Sequence, residues 1–452
     1  MSTDIQHLLL GLAAVVVLFL LITKAKLHPF LALALSAIGL GLASGIVPGD
    51  TVTHFQDGFG DALKSVGPTI GLGTLLGGIL LGSGGADRIA TVFIGARPVK
   101  WIPTAITAAA LLIGMPHLFD VSFVMLVPLV YAVAKRTGTH LLYVGLPMAA
   151  GLYISHGLLP PHPSPTLAVS AYDASTGLTI LYGLIIGIPI AVLTGPVLTR
   201  YASRWFGPAP DLDKGPVPDA GPAPENQRRP ASFTLALITV LLPPVLMLIG
   251  TIGTSATREG TAPYTVFEAC DSPVLSLLVA VLFAFFALGV RSGCGLGQIQ
   301  KMAAKGLGPV GGIVLILGAG GGLKAMLTAT GIDKIISDYA VDWAIPPLVL
   351  AWLVAALLRI CLGSATVATA AATGIVAPLV GAYPGLSPEL LVLATASGAV
   401  MLSHVNDSGF WLFKEYFQLS VPQTFRTWTL MLSLQSLLSL GGVLLLRLFV
   451  GG

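Results

Sequence analysis

The sequence predicts an all-α polytopic membrane protein of two inverted-topology repeats, with about 12–14 hydrophobic segments, some broken or re-entrant. Three observations carry this. Of 452 residues, 55% are hydrophobic and only 10% charged, against about 25% charged in a soluble domain. Apolar runs able to span or nearly span a bilayer recur from one end to the other. Blocks of the first half also return, in order, in the second.

The first apolar run, residues 8–23, is followed rather than preceded by its lysines, Lys24 and Lys26. No small-residue cleavage site follows, so it reads as a membrane helix that is retained, not a secretory signal. Further runs cover 28–47, 64–82, 101–116, 119–134, 141–158, 178–199, 232–252, 273–290, 307–327, 346–361, 365–382, 389–404 and 426–450. The runs 64–82, 307–327 and the pair flanking Gly363 are short or glycine-rich enough to be half-helices. If every run crosses, nearly all basic residues fall on one side, among them Lys24, Arg88, Lys100, Arg136, Arg204, Lys301 and Lys414, with Arg258 and Lys334 as exceptions. That side is then the cytoplasm and both termini lie outside. The Pro- and Gly-rich loop Gly207–Pro230 has almost nothing to bury and reads as a disordered cytoplasmic linker. It separates a first repeat, 1–206, from a second, 231–452.

The repeat rests on matched blocks. Leu63–Ala90 and Ala304–Ile336 each carry Gly-Pro near the start, a Gly-rich middle, then Gly, Asp, a basic residue and Ile. Pro128-Leu129-Val130 returns as Pro378-Leu379-Val380, and Ser155-His156 as Ser403-His404, at offsets of 250 (378 − 128) and 248 (404 − 156) residues. Matched runs lie seven crossings apart, an odd number, so the copies have opposite orientation.

Polar chemistry concentrates at breaks in these runs. Arg359 opens RICLGSAT, where Gly363-Ser364-Ala365-Thr366 lets the backbone unwind. An arginine at membrane depth costs about 3 kcal/mol or more unless paired or wet, and guanidinium is the planar partner of a carboxylate. The bland alternative is an arginine snorkelling from a helix end. In the first half, Met115-Pro116 breaks a helix beside His117 and Asp120. Ser155–Thr166, SHGLLPPHPSPT, is too proline-rich for regular helix, and its counterpart Ser403–Trp411, SHVNDSGFW, is dense in hydrogen-bonding side chains. The bland alternative is a polar turn between helices.

Several function classes are excluded. A net charge of +3 gives no nucleic-acid footprint, and the three cysteines are scattered, without CxxC or a metal-ligand cluster. No cofactor is implied. The glycine runs 71–85 and 318–322 lack GxxxxGK[ST] and a preceding strand, so helix packing explains them better than phosphate binding. Without an ATP-binding domain, transport would be driven by an ion gradient.

His28-Pro29-Phe30, SGGADRIA (83–90), GLPMAA (145–150), SHGLLPPHPSPT, LAWLVAALLRICLGSATVA (350–368), GIVAPLV (374–380) and SHVNDSGFWLFKEYF (403–417) together resemble the gluconate:proton symporter (gluconate permease) family of the ion-transporter superfamily. The resemblance covers nearly the whole chain except the Pro-rich loop, and Gly114–Phe123 departs from the gluconate-type pattern. It implies a multi-pass importer of gluconate-like sugar acids or hydroxy acids, coupled to protons, in the bacterial inner membrane.

The resulting expectation is a secondary active transporter. Arg359 holds the substrate carboxylate in a break opened by Gly363. Ser364, Thr366, Ser155, His156 and Asn406 complete the substrate set. Asp120, His404 and Asp407 are the proton-coupling candidates, with Asp120 as the gate partner of Arg359. The partners are a small carboxylate, protons and the lipid bilayer, and a homodimer is compatible with the reading. The rivals are an integral membrane enzyme using the intramembrane His/Asp set, and a channel.

Overall fold

The computed structural model describes residues 3–95, 98–116, 118–206, 231–307, 310–332, 335, 345–383, 385–404 and 407–450. Asn406, His117, Lys334 and the linker 207–230 lie outside them. Among the described residues every regular element is helical. Five helices among them are long and apolar enough to cross a membrane, and a sixth if a bent pair within Pro48–Gly82 counts as one span. The remaining apolar helices are shorter, as the broken-helix expectation requires.

In chain order the first half contains α1 (Thr3–Thr23), α2 (Pro29–Ala43), α3 (Pro48–Gly82), α4 (Gly85–Ile94), α5 (Ile102–Gly114), α6 (Phe119–Thr137), α7 (Leu141–Leu158), α8 (Pro163–Tyr172) and α9 (Thr176–Val192). The second half contains α10 (Phe233–Ala256), α11 (Ala262–Asp271), α12 (Pro273–Ala284), α13 (Leu296–Leu307), α14 (Val310–Ala329), α15 (Pro347–Leu362), α16 (Ala365–Val376), α17 (Pro388–Gly398), α18 (Ser408–Tyr416) and α19 (Leu430–Val450).

Two boundaries differ from the sequence reading. The run 64–82 is only the second part of α3, whose first part, 48–63, is too polar for a hydropathy criterion to find. The helix bends by 40° between Lys64 and Gly67, and Pro68 lies inside it, where it removes one backbone donor. SHGLLPPHPSPT is also less irregular than its prolines suggest. Ser155 and His156 remain inside α7, and Pro163 occupies the first position of α8, where a missing N–H costs nothing.

The glycine runs are packing surfaces. A Cβ on Gly58 would lie 2.5 Å from the Gly321 carbonyl oxygen, and one on Gly78 would lie 2.5 Å from that of Met302. Rising numbers in α3 meet falling numbers in α14 and α13, so these glycine-lined helices run antiparallel. The two contacts are each other's image: Met302 follows Gly58 by 244 residues (302 − 58), and Gly321 follows Gly78 by 243 (321 − 78). A second image pair joins α5 to α7 and α15 to α17. Gly151 presses on the Thr107 carbonyl and Gly398 on the Trp352 carbonyl, each with room for a Cβ only 2.3 Å from the oxygen. Gly398 follows Gly151 by 247 residues (398 − 151), close to the offsets found in the sequence.

Candidate functional site

Four helices begin at one place. α15 stops because Gly363, at φ +77°, takes the left-handed position after the last turn, which glycine adopts at least cost. The next residue, Ser364, caps α16 by accepting a hydrogen bond from the Val367 N–H (3.4 Å). Asp407 caps α18, accepting from the Gly409 N–H (2.9 Å). After the break at Met115-Pro116, α6 starts at Phe119, and α8 starts at Pro163. Residues from all four starts, including Asp120, Pro163, Ser364, Thr366 and Asp407, line a single cavity of about 540 Å³, together with Gly363, Tyr153 and His156.

Helix starts carry partial positive charge and unpaired N–H groups. Four of them facing one cavity make it a place suited to an anion. α8 and α16 have 10 and 12 residues, about 15 and 18 Å at 1.5 Å per residue. Each spans about half of a 30 Å hydrocarbon core, so a start inside the bundle lies at membrane depth.

Arg359 stands directly behind this cavity and is 1% exposed. It forms an ion pair with Asp407 and donates to the Tyr153 hydroxyl (3.3 Å). Its Nε and Nη1 have no partner among the described residues. Asp407 also accepts from the Ser403 hydroxyl, whose oxygen in turn accepts from the Trp428 indole N–H (2.8 Å). This corrects the sequence expectation, which made Asp120 the partner of Arg359. Asp407, at a helix start, reaches the end of α15, whereas Asp120 sits in the first turn of α6 and faces the cavity.

The other expected residues divide. Gly363, Ser364, Thr366 and His156 line the cavity. Ser155 does not: it is fully buried, and its hydroxyl donates to the Leu111 carbonyl (2.7 Å). One residue along a helix turns the side chain by about 100°, which separates Ser155 from His156. His404 lies off the cavity, its Nε2 donating to the Ile360 carbonyl (3.0 Å).

His162 was not singled out from the sequence, although it shares the motif with His156. Its Nε2 lies 2.8 Å from the Gly114 carbonyl and its Nδ1 3.3 Å from His156 Nδ1. A carbonyl only accepts, so Nε2 carries the proton. In the neutral ring Nδ1 then accepts from His156, an assignment made from the partners. Aromatic rings wall the site: Phe119, Tyr153 and Trp428 pack edge-on or tilted with centroids 5.1 to 5.4 Å apart.

The family model described as GntP family permease matches residues 6–449. A gluconate permease of Pseudomonas aeruginosa is 44% identical over 448 residues, covering 99% of both chains. A high-affinity gluconate transporter of Escherichia coli K12 is 39% identical, covering 96% of this chain and 98% of its own. The D-serine transporter DsdX of Escherichia coli O6:H1 is 33% identical, covering 97% and 98%. Among solved structures, the YdaH transporter of Alcanivorax borkumensis shares the fold with a TM-score of 0.64 at 14% identity, over 94% of this chain and 98% of that one.

Proposed function

The chain belongs to the GntP family of permeases, a multi-pass membrane transporter and not an enzyme, and from that premise we propose that it imports a gluconate-like sugar acid or hydroxy acid by proton symport across the bacterial inner membrane. The observation that carries this is the convergence of four helix starts and the buried Arg359–Asp407 pair on one cavity of about 540 Å³. The helix starts attract the carboxylate, and Ser364 and Thr366 meet hydroxyl groups. The recurrence of packing contacts at a near-constant offset supports two inverted repeats, with the site at their interface.

Coupling follows from competition for Arg359. In the empty carrier Asp407 occupies the guanidinium. A proton on Asp407 removes that charge, and Arg359 turns to the substrate carboxylate instead. Proton and anion then bind together, and the site exchanges one carboxylate for another without leaving a buried cation unpaired. Anion import against a negative interior costs about 2.3 kcal/mol per charge per 100 mV, which one accompanying proton removes.

The test is gluconate uptake by purified protein in liposomes under an imposed pH gradient. Accumulation above the equilibrium level, abolished by a protonophore, is expected. Equilibration that ignores the gradient would overturn symport. Binding of D-serine or L-idonate in place of gluconate would keep the mechanism and change the substrate.

A further inference from the structure

A second large cavity, of about 520 Å³, has no part in the site above. It lies among α3, α8, α14 and α16, with Asp61, Ala171, Lys324, Thr328 and Thr373 in its wall. α8 and α16 both start at the first cavity and end beside this one. Between the two, the Ser164 and Thr369 hydroxyls are 2.6 Å apart and buried, and Ile70, Leu167, Leu317 and Ala370 close the gap. From Pro163 to Ala171 is only about 12 Å of helix. The two cavities are therefore end to end, divided by one sealed layer.

Lys324 projects into the second cavity and donates to the Ala171 carbonyl (3.0 Å). An ammonium has three donors, so it can hold an incoming carboxylate beside that bond. Asp61 and His54 share the wall, which keeps the cavity nearly neutral and suits a site that must release its ligand. The segments that follow α8 and α16 in sequence, 173–175 and 377–387, contain no Lys or Arg. The first cavity instead reaches Ile22 and Pro29, which flank Lys24 and Lys26. By the distribution of basic residues the first cavity faces the cytoplasm and the second faces outside.

We propose that the Lys324 cavity is the outer vestibule of the transport path and binds the same small hydroxy-carboxylate before the layer at Ser164 and Thr369 opens. The structure is then the inward-facing form, with its outer layer shut. This rests on the transport reading above, and the experiment separates the two. Thr328→Cys is made in a chain whose native cysteines are replaced, and the variant is first shown to take up gluconate. In intact cells a membrane-impermeant maleimide should label Cys at 328, and gluconate should slow that labelling. Adding Lys324→Gln should abolish the protection and raise the uptake KM about tenfold, as loss of a charge-assisted hydrogen bond does. Lys324→Arg should keep both near their original values. Labelling only from inside-out vesicles would overturn the placement of the cavity. Labelling from outside that gluconate does not slow, in a variant that transports it, would overturn the binding site. Absence of gluconate uptake counts against the substrate reading, while the side from which the cysteine is labelled still decides the vestibule.

Discussion

Arg359 donates through one nitrogen to both Asp407 and Tyr153 and leaves two nitrogens without partners among the described residues. A planar fork can serve one partner and turn to another, whereas an ammonium is a point charge. Arg359→Lys should therefore abolish high-affinity uptake while membrane abundance stays normal; wild-type affinity in this variant would remove the clamp. Asp407→Asn resembles the protonated acid. It should stop accumulation driven by a pH gradient, while substrate binding and counterflow exchange persist. Loss of binding as well would place Asp407 among the substrate contacts. Ser155 tests the opposite case, because its hydroxyl is turned to Leu111. Ser155→Ala should leave the gluconate KM unchanged and cost about 1 kcal/mol of stability, the worth of one buried hydrogen bond. A large rise in KM would return Ser155 to the site.

At the scale of elements, the half-helices depend on close backbone approach. Gly151 and Gly398 each lie where a Cβ would fall 2.3 Å from a carbonyl of the neighbouring helix. Carbonyls cannot yield as a flexible side chain can, so the helices must separate. Gly151→Ala and Gly398→Ala should each destabilise the protein by about 1–3 kcal/mol, seen as a lower melting temperature in detergent. Gly39, inside α2, has nothing within 4 Å of the place a methyl group would take. Gly39→Ala should be neutral or stabilising by up to about 1 kcal/mol, since alanine favours helix. Equal losses at all three positions would mean that general helix crowding, and not the image pair, sets the sensitivity.

For the whole molecule, side assignment is the property most open to measurement. With nearly all basic residues on one face, the linker 207–230 is expected in the cytoplasm and both termini outside. Asp219→Cys, in a chain without its native cysteines, should resist an impermeant thiol reagent in intact cells and react once the membrane is opened. Rapid labelling in intact cells would invert the molecule and exchange the two cavities between inside and outside.

Fold class, the broken helices and several residues that line the candidate cavity were legible in the sequence, because each depends on local chemistry. Apolar length fixes membrane residence, Pro and Gly interrupt helices, and an arginine at membrane depth demands a partner. Gly363, Ser364, Thr366 and His156 reach the cavity because they sit at or beside such a break. Which acid pairs with Arg359 was not legible. Asp120 and Asp407 both stand at helix starts, and only the packing of α15 against the start of α18 decides between them. Ser155 and His156 are adjacent in sequence, yet one faces α5 and the other the cavity, a consequence of helix rotation against a neighbour. The four converging helix starts come from segments up to 289 residues apart (408 − 119), and the sealed layer between the cavities joins Ser164 to Thr369 across 205 residues. Such coincidences belong to tertiary structure, because side-chain direction and long-range proximity are set by how the helices pack and not by any one of them.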